Sequence, residues 1–258
     1  MTHICKNCNH HNNGNFCSEC GQKFSVTSFT FKHILHEAFH AFTHADKGIL
    51  VLMKKLILNP GNVAYEYIAE GKRKKYFNLF TFFVFITAIA AFAENKELAI
   101  KETVFHDNNE YGHLFNIYSK LLLLVTIPLV AFIIWLLHDK KNGFRYSEYT
   151  VFAMVLMSVK SMFDIVANTI NYCLTAFFKI YGGVHENLFY AAFLIAFIAY
   201  ANYGFHQKLK KSSWLRSILT GIGFCVVQVA ITMFIVWAVI RDFNGLGVFS
   251  MYGIYFSK

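Results

Sequence analysis

Five long apolar runs fill most of the chain after residue 76, and no other feature limits its fold as strongly. They cover residues 77–93, 115–137, 149–178, 188–205 and 214–240. The hydrocarbon core of a bilayer is about 30 Å thick and takes roughly 20 apolar helical residues to cross. Within it every backbone N–H and C=O needs a partner inside the segment, so each run reads as a helix. Composition points the same way. Of the 258 residues, 56% are hydrophobic, 18% are aromatic and only 15% are charged, against about 25% charged in soluble domains. Phe occurs 29 times and Pro twice, which suits long uninterrupted helices better than a loop-rich β protein. The expected fold is mainly α: a polytopic membrane protein of about five transmembrane helices.

A formal charge of +9 raises the question of nucleic acid, because basic domains collect phosphates. The placement of the charge argues for lipid instead. Of 24 Lys and Arg, ten precede Tyr76, three lie between His138 and Glu148, and four lie between His206 and Arg216. These clusters fall on alternate sides of the apolar runs, the positive-inside pattern of a multi-pass protein. The expected placement is the cytoplasmic (inner) membrane, with the N-terminus cytoplasmic and the C-terminus external. The first two dozen residues are polar and rich in Cys, Asn and His, so no cleavable signal is read there.

That polar stretch holds Cys5, Cys8, Cys17 and Cys20, a C-x-x-C…C-x-x-C frame. A two-residue spacer lets each cysteine pair close on one metal from a tight turn, and two such pairs make a tetrahedral four-sulfur site for structural zinc. A cytoplasmic head keeps its thiols reduced, which favours metal over disulfides. Gly21 follows the last cysteine, free to take a left-handed backbone. The only large apolar side chains between Met1 and Gln22 are Ile4 and Phe16, so the metal has to serve as the core. Cys173 and Cys225 fall inside apolar runs and read as small core residues.

Between head and membrane the period becomes helical. Phe31, Ile34, Leu35, Ala38, Phe39 and Phe42 recur at three and four residues behind Ser28, a candidate N-cap. Asp46 can cap a second helix carrying Ile49, Leu50, Leu52, Met53, Leu56 and Ile57. Asn59-Pro60 then reads as an N-cap and first helical residue of a third, which stops at Gly71. These amphipathic helices are too short or too charged to span, and lie on the cytoplasmic surface or pack on the membrane domain. The domain reading is therefore 1–24 for the zinc-ribbon head, 28–76 for interfacial helices ending in a basic cluster, and 77–258 for the transmembrane domain.

The head, the Asp46-Lys47-Gly48 turn, Pro60-Gly61, and the run Glu66-Tyr67-Ile68 with Gly71-Lys72-Arg73 and Tyr76 together resemble an uncharacterised bacterial zinc-ribbon membrane family, domain-of-unknown-function family 3667. The resemblance covers about the first 90 residues. It implies a zinc-ribbon inner-membrane protein and brings no activity and no catalytic residue.

Three sets of residues carry chemistry of their own. His36-Glu37-Ala38-Phe39-His40 spells H-E-x-x-H, in which two helical histidines bind zinc and the Glu activates water. His33, His44 and Asp46 extend that face, although no third-ligand signature follows, and the polar edge of an amphipathic helix accounts for the same residues. In the third run, Lys160, Asp164, Asn168 and Asn171 share one stripe of a helix, where charges need protein or water beside them. They form either a structural seam, with the asparagines reaching Gln228 or Thr232, or a proton or solute path. Lys72 to Lys75 sets topology and holds the preceding helix to anionic lipid. Lys120, near the external end of the second run, snorkels, and Gly221 and Gly223 permit close helix approach or a bend.

The reading that follows is an inner-membrane scaffold or regulatory protein, not an enzyme, whose structural zinc head binds a protein partner. Membrane lipid surrounds the body, homo-oligomers are compatible with it, and nucleic acid is not a partner. Two alternatives come from other classes: a small-solute or proton transporter or channel subunit using Lys160 and Asp164, and a zinc hydrolase at His36, Glu37 and His40.

Overall fold

The computed structural model describes residues 3–12, 14–23, 48–105, 125–138, 144–180, 188–210 and 212–235. The helix expected behind Ser28, the histidine face from His33 to His44, Asp46, Lys120 and residues 241–258 lie outside them.

Two short strands, β1 (His3–Ile4) and β2 (His11–Asn12), pair antiparallel in the head, with His3 opposite Asn12 and Ile4 opposite His11. The rest is helical: α1 (Ile49–Leu58), α2 (Pro60–Ile68), a 3-10 turn (Arg73–Lys75), α3 (Leu79–Phe105), α4 (Val125–Leu137), α5 (Tyr146–Cys173), α6 (Leu188–Lys208) and α7 (Trp214–Ile235). A π-turn at Leu174–Phe178 extends α5. Four helices among the described residues, α3, α5, α6 and α7, are long and apolar enough to cross a membrane. The second apolar run is represented by α4, 13 residues from Val125 to Leu137, and its first part lies outside the described residues.

Local chemistry sets the helix starts. Asn59 accepts the Asn62 N–H through its side chain, and Pro60 occupies the first position of α2, as its spacing predicts. Asn78 accepts from the Phe80 and Thr81 N–H groups at 3.0 and 3.1 Å and caps α3. Before α5 the Glu148 carboxylate reaches back to the Arg145 N–H at 2.7 Å.

Side-chain pairs fix the bundle. Thr87 meets Ser161 and Glu97 meets Asn171, so α3 and α5 run parallel. Phe163 packs edge-on against Phe193 and Phe197, and Phe152 stacks on Phe205, so α6 runs antiparallel to α5. Helix α7 returns against α6 and α4: a Cβ on Gly221 would lie 2.6 Å from the Ile195 carbonyl oxygen, and one on Gly223 would lie 2.9 Å from the Ile133 side chain. The close approach expected of Gly221 and Gly223 is thus realised. Helix α5 is central, with Phe152 to Met157 buried without interruption.

The first apolar run predicts a helix that stops near Ala93 and a loop after it, but the helix does not end there and residues 94–105 are helical. Helix α3 continues to Phe105 because Glu94 to Glu102 is a run of strong helix formers, and Glu97, 4% exposed, bonds Asn171 on α5. Cys173 is also misread as core, since it is exposed on α5, while Cys225 is half-buried.

Helices α1 and α2 pack on the bundle. Leu52 and Leu56 of α1 are buried, as are Pro60, Gly61, Val63, Ala64, Tyr67 and Ile68 of α2. The α2 backbone lies directly on α6, where a Cβ on Gly61 would sit 2.3 Å from the Ala201 carbonyl oxygen and 2.5 Å from the Phe205 nitrogen. Gly61→Ala is expected to cost at least about 1–3 kcal/mol, since both clashes are with backbone that cannot rotate away. Gly204→Ala, whose Cβ would meet its nearest neighbour at 3.8 Å, serves as the control and is expected to be near neutral. Melting temperatures of the two variants in detergent check the difference.

Candidate metal centre and its docking loop

Each cysteine pair sits on a turn of the same design. The Cys5 carbonyl accepts the Asn9 N–H at 2.8 Å and the Cys5 N–H donates to His10 at 2.9 Å; the Cys17 carbonyl accepts from Gly21 at 2.9 Å and the Cys17 N–H donates to Gln22 at 2.8 Å. Asn9 and Gly21 take the same left-handed backbone, with φ of 60° and 67°. Ile4 opposite His11 is matched by Phe16 opposite Lys23. The head is therefore two copies of one cysteine turn facing each other. Sequence reasoning anticipated Gly21 and missed Asn9, whose tolerance of the left-handed region makes it the equivalent residue.

The duplication brings the four sulfurs together. Cys5 Sγ lies 3.5 Å from Cys20 Sγ, Cys8 Sγ lies 3.5 Å from Cys17 Sγ, and all four fall within 4.8 Å of one another. A tetrahedral ion with metal–sulfur bonds of about 2.3 Å holds its sulfurs about 3.8 Å apart, so the set fits such an ion. The group is free of disulfides. The Cys8 thiol is pushed up to about 12: its bond to His10 lowers it, but desolvation and the neighbouring Cys17, Cys20 and Cys5 thiols outweigh this. Four thiolates cannot share this space without a cation between them, which is the charge a divalent metal supplies.

Gln22 joins the head to the body. Its side-chain amide donates to the Gly71 carbonyl at 2.8 Å and accepts from the Lys74 N–H at 3.4 Å. Gly71 turns the chain at φ 68°, and the Lys72 N–H returns to Glu66 at 3.0 Å. Glu66, on α2, then gathers the loop: its carboxylate accepts from Asn62, from Lys75 and from the Tyr76 hydroxyl. Lys55 and Lys75 stand over the Tyr76 ring at 5.1 and 5.5 Å. Lys72 pairs with Glu70. Lys72 and Lys75 of the basic cluster are thus engaged within the protein, besides the topology and lipid roles that the sequence suggests.

The polar residues of the third run separate into two groups. Lys160 Nζ meets Asp164 Oδ2 at 2.6 Å, and the Tyr190 hydroxyl of α6 donates to the other carboxylate oxygen. The pair does neutralise itself within one turn. The asparagines do not reach Gln228 or Thr232: Asn171 bonds Glu97, Gln228 donates to Met157 Sδ at 3.7 Å, and the Thr232 hydroxyl turns back to the Gln228 carbonyl. The longer α3 supplied a better acceptor than the hydropathy pattern allowed.

A third polar group was not anticipated. His138 and His206 stack with ring centroids 3.6 Å apart, and Asn202 Nδ2 approaches His138 Nε2, Thr220 and Ser217 at 2.8, 3.2 and 3.4 Å. His206 Nδ1 lies 2.9 Å from the Asn202 carbonyl, which can only accept, so Nδ1 carries the proton. All five side chains are buried. The available signal was the one-turn spacing of Asn202 and His206; their partners, just past α4 and on α7, carry none.

The described residues define a helical protein with four helices able to cross a membrane and a four-cysteine cluster able to hold a metal ion. Residues 46–91 match the family model described as protein of unknown function (DUF3667), which supports membership of that family. The match spans α1, α2, the Glu66 loop and the first half of α3, a range that includes the clamp of Glu66, Lys75 and Tyr76. Neither curated proteins nor solved structures gave a match.

Glu66 gives this clamp a pH dependence. Burial alone would raise its carboxyl, but the bonds from Lys75, Tyr76 and Asn62 outweigh it and hold the group below its ordinary value of 4.5. A depressed carboxylate adds stability that is complete above the unfolded value and drains away as pH falls through the folded one. Wild type is therefore expected to lose melting temperature below about pH 4.5, more steeply than Glu66→Gln. At neutral pH that variant is expected to be less stable by about 1 kcal/mol.

Proposed function

We propose that the chain is an inner-membrane scaffold or regulatory protein whose cytoplasmic head, built on a structural zinc ion, presents a partner-binding surface beside the membrane. The observation that carries this is the closed ligand set: Cys5, Cys8, Cys17 and Cys20 offer one sulfur each, all within 4.8 Å. Four thiolates complete a tetrahedron and leave no position for water or substrate, the arrangement of structural zinc. Lys72 to Lys75 before α3, Arg145 before α5, Lys208 at the end of α6 and Arg216 at the start of α7 fall at one end of the bundle, which supports a cytoplasmic head. Purified full-length protein is expected to hold one zinc per chain, absent from a Cys5→Ser/Cys17→Ser variant. The same variant is expected to lose the proteins crosslinked to wild type in membranes; intact recovery would remove the head from partner binding.

A second reading, transport, is favoured by the Lys160–Asp164–Tyr190 group inside a candidate span. Ionisable groups within a span are costly and mark candidate ion or solute pathways. If the group conducts, Asp164→Asn abolishes solute or proton flux in vesicles while the protein inserts normally. If it is a seam, the variant has no flux phenotype and melts lower.

A further inference from the structure

Gln22 belongs to two structures at once. Its carbonyl oxygen closes the second cysteine turn by accepting the Cys17 N–H. Its side chain, 5% exposed, holds the Gly71 carbonyl and the Lys74 N–H of the loop that enters α3. A primary amide offers a donor and an acceptor side by side and so pairs with backbone as a strand edge does. Both of its loop partners are backbone groups, so the contact reads the shape of the loop, set by the left-handed Gly71 and the Arg73–Lys75 turn.

We infer that the head is a metal-dependent latch on this juxtamembrane loop. The inference rests on the zinc-head reading and adds a regulatory consequence to it. Ile4 and Phe16 are each more than half exposed, so the head has little apolar core, and the folding free energy of such a unit comes from its metal. With the metal removed, the Cys17 turn no longer fixes the Gln22 backbone, and the loop loses both hydrogen bonds. Gly71 to Lys75 then keeps its contacts to the body, among them those to Glu66 and Glu70, but loses the two that Gln22 makes to its backbone. Metal loading is thereby converted into a change in the segment that leads into the first span.

Linkage makes the effect reciprocal. If metal holds the loop through Gln22, the loop holds the metal through Gln22, although Gln22 is not a ligand. In full-length protein in detergent, Gln22→Ala is expected to keep one zinc per chain but to bind it about tenfold more weakly in competition with a chromogenic chelator. Gln22→Glu, which keeps the acceptor and loses the donor, is expected to fall between Gln22→Ala and wild type. Stripping zinc from wild type is expected to speed trypsin cleavage at Lys72 to Lys75, and Gln22→Ala to be cut faster even when loaded. Unchanged affinity in Gln22→Ala, or cleavage indifferent to zinc, overturns the latch while leaving the zinc head standing. Zinc that survives Cys5→Ser/Cys17→Ser overturns the head reading itself.

Discussion

The approach of α2 to α6 at Gly61 is the contact from which the head side of the molecule is assembled. With no Cβ at that position, the α2 backbone rests on α6 at Ala201 and Phe205, and Tyr65 meets the Phe205 ring edge-on. The Tyr200 hydroxyl donates to the Leu58 carbonyl and anchors the end of α1 beside it. With α2 seated, Glu66 is fixed in space, and Lys75 and Tyr76 can converge on it. The loop they form presents the Gly71 carbonyl and Lys74 N–H to Gln22. The order of dependence runs from one missing methyl to the placement of the four-cysteine head.

The polar groups inside the bundle show a common economy. Several sit where two or three helices meet and are matched by groups from a neighbouring element: Lys160 and Asp164 by Tyr190, Asn171 by Glu97, His138 by Asn202. In a medium without water such groups are stable only when paired across helices, and the pairing then fixes which helices touch. The same requirement explains why the Glu97 carboxylate, which hydropathy assigns to a loop, is buried within a helix once Asn171 faces it.

The cysteine spacing named all four members of the sulfur cluster that could hold a metal ion, because a C-x-x-C turn is a local structure whose geometry follows from two residues between the sulfurs. Asn59-Pro60 was legible for the same reason, as capping is settled within one turn. The end of α3, the exposure of Cys173 and the stack of His138 on His206 were not. Each depends on what a distant segment places opposite, and hydropathy counts residues without knowing their neighbours. The resemblance at Glu66 and Tyr76 was visible as a pattern, while its cause, a hydrogen bond between those two side chains, was not.

Sequence alone therefore determined the class of this protein: apolar runs long enough to cross a bilayer, basic clusters between them, and a cysteine frame with little apolar core of its own. Those are properties of single segments in contact with solvent or lipid. Tertiary structure decided that the head docks through Gln22, that the basic loop is clamped by Glu66, and that the polar residues of α5 divide between α3 and α6. Each of these is a contact between residues far apart in the chain, and its energy depends on a fit that no single segment contains.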